Sequence, residues 1–325
     1  MKKCFSHSNS IIRFSTGRFL YLAASILFLC MTQVNAQSNK VLVIKAAYPP
    51  YTDCAQLFVA IEKGFFREEG IAVEPVKITE GRSILEALNK GEINMGFANL
   101  VSLVQSRNDG TDLVAITGGP VEDTGHIENG IFVRANSGIQ KPADLAGKKV
   151  AVNVRKNIIE LITLEYLERQ NINLNTVEII EIPFPKMLEG LVKGDVDAAP
   201  LIVPFKSMAE QNSDVRLLSD YVVEMFPKFE SSSYLVSRKW ADSNKSTVSK
   251  IQRAMKKATD FCRQHPDEIK EMIVKYVPFT KEQMSQTVLP SFEYTISEKG
   301  LASIIQMMHK RGWINKTFPT RSLIY

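Results

Sequence analysis

From residue 41 onward, short runs of β-branched and apolar residues alternate with stretches whose apolar positions recur every three or four residues. The runs predict strands at 41–46, 73–78, 94–98 and 112–117, and the stretches between them predict helices at 56–63, 83–89 and 100–107. In the first helix the period puts Leu57, Phe58, Ala60 and Ile61 on one face, and Gly64 stops it. The pattern then restarts, with strands at 130–134, 149–153, 177–182 and 198–202 and helices at 158–170 and 186–193. Beyond about residue 239 it turns mostly helical, at 244–265, 266–276 and 298–311. Strands alternating with helices in this way predict an α/β fold whose sheets are mostly parallel and flanked by helices.

A repeat divides this pattern in two. Ile84-Leu-Glu-Ala-Leu-Asn-Lys-Gly-Glu-Ile-Asn94 returns 103 residues later as Met187-Leu-Glu-Gly-Leu-Val-Lys-Gly-Asp-Val-Asp197, with five of eleven positions identical. Each copy is a short amphipathic helix stopped by a glycine, Gly91 or Gly194, and followed by a buried strand. Two copies predict two similarly built lobes. The turn-rich segment Gly118-Gly-Pro-Val-Glu-Asp-Thr-Gly-His126 is the expected outward crossing, and residues 220–233 the expected return. Residues 37–122 with about 230–325 then form lobe 1, and about 123–229 form lobe 2. Two crossings make a cleft that a hinge can open and shut.

The charge of +5 hints at nucleic acid until its distribution is read. Lys2, Lys3, Arg13 and Arg18 lie in residues 1–36 with no acid, which leaves 36 basic residues against 35 acidic ones in the remainder. A nearly neutral body with no basic run offers no electrostatic footprint for DNA or RNA. The basic start, the apolar stretch 19–31 and the ending Val34-Asn35-Ala36 predict a signal peptide cleaved after Ala36. The bulky Leu29 before Cys30 does not suit lipidation. The protein is therefore expected in the periplasm. After cleavage only Cys54 and Cys262 remain, open to one disulfide or two buried thiols. No cofactor is expected and no metal ligand set is found. GxSxG, HExxH, Walker A and GxGxxG motifs are absent from the sequence, so no catalytic constellation is expected.

Several phrases, taken in order, resemble a known family. They are Leu57-Phe-Val-Ala-Ile-Glu-Lys-Gly-Phe-Phe-Arg-Glu-Glu-Gly-Ile-Ala-Val73, Gly91-Glu-Ile-Asn-Met-Gly96, Gly138-Ile-Gln-Lys-Pro-Ala-Asp-Leu-Ala-Gly-Lys-Lys-Val-Ala-Val152 and Gly194-Asp-Val-Asp-Ala-Ala199 with Pro204-Phe205. Across about residues 41–240 the chain resembles periplasmic substrate-binding proteins of ABC importers. The resemblance is to the SsuA/THI5-like branch that handles aliphatic sulfonates, taurine, nitrate and thiamine-pyrimidine precursors. It implies a two-lobed periplasmic-binding-protein fold of type II, a monomer that captures a small molecule and docks on an ABC permease with its ATPase. It also leaves two alternatives, a receptor for a pyrimidine or other aromatic solute and a sensory module. Pyrimidine synthases of related fold use a Cys-rich motif that this sequence lacks. The chain departs from the family where Ile202-Val203 replaces Trp-Glu before Pro204, and where Arg155-Lys156-Asn157 replaces a Gly/Ser/Thr-rich loop.

Ligands of open α/β sheets bind beyond the carboxyl ends of the strands, near helix N-termini. This rule selects Tyr48, Tyr51, Thr52 and Asp53 after the first strand. The tyrosines suit either a ring or aliphatic tail of the ligand or packing within the lobe, and Asp53 either a helix cap or a ligand amine. Gly81, Arg82 and Ser83 follow the second strand and suit an anion turn. Gly119 follows the fourth at the same rim, while Asn99, after the third, sits where the family makes a polar contact. In lobe 2 the rule selects Asn153, Arg155 and Asn157, with Arg155 the leading candidate for gripping sulfonate, carboxylate or phosphate. Its removal is expected to lower affinity and leave unliganded stability nearly unchanged. Pro204 and Phe205 are expected to line the same cleft or, for Phe205, to fill the core. Asp53 and Glu80 beside Arg82 and Arg155 would suit a zwitterion.

Overall fold

The computed structural model describes Met1 and residues 41–325. The predicted signal peptide and its cleavage site lie outside the described residues. Strands β1 (Leu42–Tyr48), β2 (Ile71–Lys77), β3 (Met95–Asn99) and β4 (Leu113–Thr117) build the first sheet, completed by β12 (Ser232–Ser237). The crossing strand β5 (Pro120–Asp123) follows β4. The second sheet holds β6 (Asn129–Arg134), β7 (Lys149–Val152), β8 (Glu178–Glu181), β9 (Ala198–Ile202) and β10 (Val215–Ser219). A third, small sheet joins β5 to β11 (Lys228–Glu230) and β13 (Ser291–Phe292).

The first sheet runs β2-β1-β3-β12-β4 and the second, read from its other edge, β8-β7-β9-β6-β10. Position for position the two orders match. In each sheet the first three strands are mutually parallel, and the fourth place holds the one antiparallel strand, β12 or β6. That strand is in both cases the first one the chain makes after crossing from the other sheet. The sheets are therefore mostly parallel, as the sequence predicts, with one antiparallel strand in each, because a chain that crosses over enters its new sheet from the far end. The sequence repeat falls at equivalent places, the Gly81–Lys90 helix leading into β3 and the Phe184–Lys193 helix into β9. Gly91 and Gly194 cap them at φ +73° and +86°, a left-handed turn that favours glycine.

Each sheet is buried by the helices that its apolar periodicity predicts. On one face of the first sheet, Leu57 and Phe58 of the Ala55–Glu62 helix pack with Met255 and Ala258 of the Lys245–Gln264 helix over Ile44, Met95 and Tyr234. On its other face Ile84, Leu88, Leu100 and Val104 pack in a cluster that continues, through Leu301 and Ile304, to the residues packed on the second sheet. The Tyr234 hydroxyl accepts from the amide of Leu57 at 3.2 Å and donates to the carbonyl of Cys54 at 3.3 Å, tying β12 to the start of the first helix. Cys54 and Cys262 are both free and buried, so of the two readings of the cysteines the unbridged one holds. No helix among the described residues is long and apolar enough to cross a membrane.

The chain passes between the sheets on the antiparallel pair β5 and β11, with Phe229 opposite Glu122 and Glu230 opposite Val121. The sequence marks the outward crossing by its Gly-Gly-Pro turn. Backbone crowding explains the second glycine, since a Cβ on Gly119 would lie 2.5 Å from the carbonyl oxygen of Ser232.

Candidate functional site

The carboxyl ends of β1, β3, β7 and β9 carry most of the residues selected from the sequence. Tyr51, Thr52 and Asp53 follow β1, and Thr52–Cys54 winds into a short 3-10 turn. Thr52 is fully buried and its hydroxyl has no well-formed partner among the described residues. Asp53 beside it is half-buried, and desolvation raises its carboxyl from 3.8 to about 6. Burial also raises the Tyr51 phenol, helped by the charge of Asp53. Tyr48 stands apart: it is buried edge-on against Phe58 at 4.9 Å and Tyr276 at 6.1 Å, the packing role left open for it.

Several polar candidates serve the ends of helices. Asn99 Oδ1 accepts from the amide of Ser102 at 2.9 Å, and Asn157 Oδ1 from the amide of Ile158 at 2.6 Å. Gly81 and Ser83 begin the Gly81–Lys90 helix, whose N-cap Glu80 makes no side-chain cap, and Arg82 is exposed. The Arg155 guanidinium is already engaged. Its Nε donates to Glu160 Oε1 at 3.0 Å and its Nη1 to the carbonyl of Ile179, on edge strand β8, at 3.2 Å. Pro204 follows a cis peptide bond, and Phe205 stacks on Phe184 at 5.8 Å and meets Phe279 edge-on at 5.8 Å. These three phenyl groups, with Leu188 and Met208, line a groove of about 530 Å³ reached from both the Phe184–Lys193 helix and the 278–283 segment.

The structure adds carboxylates that sequence reasoning passed over. Glu122 on β5 is buried and accepts from the backbone amide of Asn129 at 3.1 Å and from Asn129 Nδ2 at 2.5 Å. Burial nevertheless raises its carboxyl from 4.5 to about 7. Glu128 precedes β6, and its carbonyl accepts from the amide of Val203 at 3.0 Å, which sets it at the carboxyl end of β9. Its carboxyl is held well above its ordinary range, first by burial and then by the charges of Asp53, Glu122 and Asp123. Asp53 follows β1, and Glu128 lies beside the carboxyl end of β9. Glu230 on β11 is similarly raised to about 7 by burial. The one signal available beforehand was an acidic pair, Glu122-Asp123, inside a segment otherwise suited to a buried crossing.

Two further acceptors in this region are unfilled. Asn129 Oδ1 and Asn153 Oδ1 are buried without partners among the described residues. The nearby cation Lys206 is committed to Glu210 at 2.6 Å and Asp220 at 3.5 Å.

A family model described as NMT1/THI5 like matches residues 51–269. The chain belongs to this family. A relative from Brachyspira hyodysenteriae, provisionally named an ABC transporter periplasmic binding protein, is 24% identical over 85% of this chain and 81% of its own. Aspergillus parasiticus 4-amino-5-hydroxymethyl-2-methylpyrimidine phosphate synthase is 24% identical over 74% of this chain and 72% of its own. Among solved structures, the periplasmic aliphatic sulphonate binding protein SsuA from Escherichia coli superposes with a TM-score of 0.73. It is 20% identical, and the match covers 87% of this chain and 92% of that one. The NMT1/THI5-like chain therefore has the two-lobed periplasmic-binding-protein fold that its sequence led one to expect.

Proposed function

We propose that this protein is an extracytoplasmic receptor that binds a small organic solute between two lobes and delivers it to an ABC permease with its ATPase, without turnover. The lobes are residues 37–122 with about 230–325, and about 123–229. One observation carries the reading: two sheets of matching strand order, joined by the β5–β11 pair, turn unfilled polar atoms such as Thr52 Oγ1 and Asn153 Oδ1 toward their strand ends. A solute that fills groups from both lobes binds the closed arrangement better and so drives closure. The sulphonate in the name of the SsuA neighbour favours a small anion or zwitterion of the sulfonate, taurine or nitrate kind. Of these the zwitterion fits better, since Asp53 is an unpaired carboxyl at the rim among the described residues. A second reading, an aromatic solute such as an aminopyrimidine, is favoured by the phenyl-lined groove of Phe184, Phe205 and Phe279.

The test is a thermal-shift panel of aliphatic sulfonates, taurine, nitrate, bicarbonate, aminopyrimidines and aromatic carboxylates. It is followed by small-angle scattering of the protein with and without the best hit. A hit that contracts the particle without being converted supports the receptor reading; turnover of the hit, or binding with no contraction, overturns it.

A further inference from the structure

Besides the β5–β11 crossing, the two sheets are joined on two flanks, and the joins differ in chemistry. The chain goes from β7 to β8 and then back past β7 to β9. Right-handed crossovers therefore put the Ile158–Arg169 helix on one face of the second sheet and the Phe184–Lys193 helix on the other. The Phe205–Glu210 helix shares the second of these faces, since Phe205 stacks on Phe184. On the first face the join is polar. Gln105 Nε2 donates to the carbonyl of Lys156 at 2.8 Å, Lys310 pairs with Glu168 at 3.0 Å, and Arg311 pairs with Glu165 at 3.1 Å. On the other face the join is aromatic, and residues 276–279 make it.

That stretch is fixed at one end and lightly seated at the other. Tyr276 stacks on Phe58 with ring centroids 4.2 Å apart, meets Tyr48 at the end of β1 at 6.1 Å, and donates from its hydroxyl to Glu62 at 2.8 Å. Three residues on, Phe279 meets Phe205, which begins the helix after β9, edge-on at 5.8 Å. Among the partly buried apolar residues described, Phe279 alone packs against both the cluster on one face of the first sheet and the cluster that continues to the second. It is half-buried at the lip of the groove of about 530 Å³, and ring contacts are all that hold it there. The stretch thus runs from the carboxyl end of β1 to the helix at the carboxyl end of β9, with a firm anchor on the first sheet and a releasable foot on the second.

We propose that residues 276–279 are a strap across one flank of the cleft and that Phe279 is its latch. Seated on Phe205 it holds the lobes together, and it lifts off when they part to admit or release solute. This rests on the receptor reading and names a control on it. When the lobes part, Gln105 and the Lys156 carbonyl on the polar flank regain partners from water, so that join costs little to break. The Phe279 ring instead exposes apolar surface, so the latch weighs more in the balance. An edge-on aromatic pair is worth about two- to tenfold in the ratio of joined to parted arrangements.

The test needs no solute. In the chain lacking residues 1–36 both native cysteines are buried, so nitroxide labels go selectively onto Thr79→Cys and Lys186→Cys, exposed positions beside the first and the second sheet. Pulsed dipolar spectroscopy then reads the populations of short and long separations. Phe279→Ala is expected to shift the ratio toward the long separation by about two- to tenfold, and Phe279→Tyr to keep the parent ratio. Phe205→Leu should shift it the same way, with no further change on adding Phe279→Ala, because both remove one contact. Phe279→Leu, which keeps apolar bulk and is the safer variant for folding, should give an intermediate ratio. An unchanged ratio in Phe279→Ala or Phe279→Leu, additive shifts in the double variant, or a lowered melting temperature with no change of ratio would each overturn the latch and leave the receptor reading standing. The receptor reading instead fails on turnover or on binding without contraction.

Discussion

Glu122 allows a quantitative check of how the crossing strands respond to pH. Its carboxyl sits on β5, accepts two hydrogen bonds from Asn129 and is still raised from 4.5 to about 7, because burial outweighs those bonds. At 1.36 kcal/mol per pH unit this corresponds to about 3 kcal/mol. The folded value lies above the unfolded one, so the folded protein holds the extra proton between those two pH values. The contribution is whole below about pH 4.5 and is lost as pH rises through about 7. Among the described residues eight carboxyls have lowered values and act the opposite way, while Asp53, Glu128 and Glu230 act the same way, so the parent's curve alone is not diagnostic. The difference between the parent and Glu122→Gln isolates the group. The amide keeps one acceptor for Asn129 and sets an NH2 against the other donor, so the variant should be less stable by about 1–2 kcal/mol at pH 4.5. By pH 8 it should have gained about 3 kcal/mol relative to the parent and be the more stable of the two. Urea unfolding at half-unit pH steps, with common slopes, reads this directly. A gap constant within about 0.5 kcal/mol from pH 4.5 to 8 would refute the reasoning.

Other expectations follow from single contacts. Gly119→Ala forces a Cβ against the backbone carbonyl of Ser232 in β12, which cannot rotate aside as a side chain would, and should cost about 3 kcal/mol or prevent folding, read by urea unfolding. Tyr234→Phe removes the acceptor of the Leu57 amide in a fully buried place and should cost about 1–3 kcal/mol by the same assay. Arg155→Ala, expected from sequence to leave unliganded stability nearly unchanged, should now cost about 1–2 kcal/mol because Glu160, 3% exposed at its side chain, loses its guanidinium. An unchanged melting temperature would return Arg155 to the free-surface role. Thiol titration of the chain lacking residues 1–36 should find two groups after denaturation without reductant and almost none before it.

The strand and helix succession was legible because each lobe repeats one unit whose apolar periods are clean, as in β9, where the sequence and the structure agree at residues 198–202. Strand β12 was not legible. Its Ser-Ser-Tyr-Leu-Val-Ser carries three serines and starts at the end of the expected crossing, so only its partners β3 and β4 define it as a strand. Direction was equally hidden: β6 has the composition of any buried strand, and nothing in Gly-Ile-Phe-Val reveals that it runs against β9. Among the site residues, the strand-end rule led to Thr52, Asp53 and Asn153. It could not reach Glu128, which enters from the start of an antiparallel strand, at the opposite end of that strand from the one the rule inspects. Nor could it tell that Arg155 has a buried partner five residues on, since Glu160 reads as an ordinary helix-surface acid.

The antiparallel strand in fourth place also sets an order of assembly. Every strand of the second sheet lies within residues 129–219, so that sheet can complete itself from one contiguous stretch of chain. The first sheet cannot: β3 and β4 never pair with each other, and the strand that separates them arrives more than a hundred residues later, at 232–237. Until that stretch is available, β4 has no neighbour in the sheet and the edge of β3 is open, a template for mispairing. The long loop that must close makes insertion of β12 a slow step. A chain shortened just after residue 225 should therefore fold in its middle third and expose an incomplete first sheet, and it is this half, not the later-made one, that a holding chaperone would have to shield.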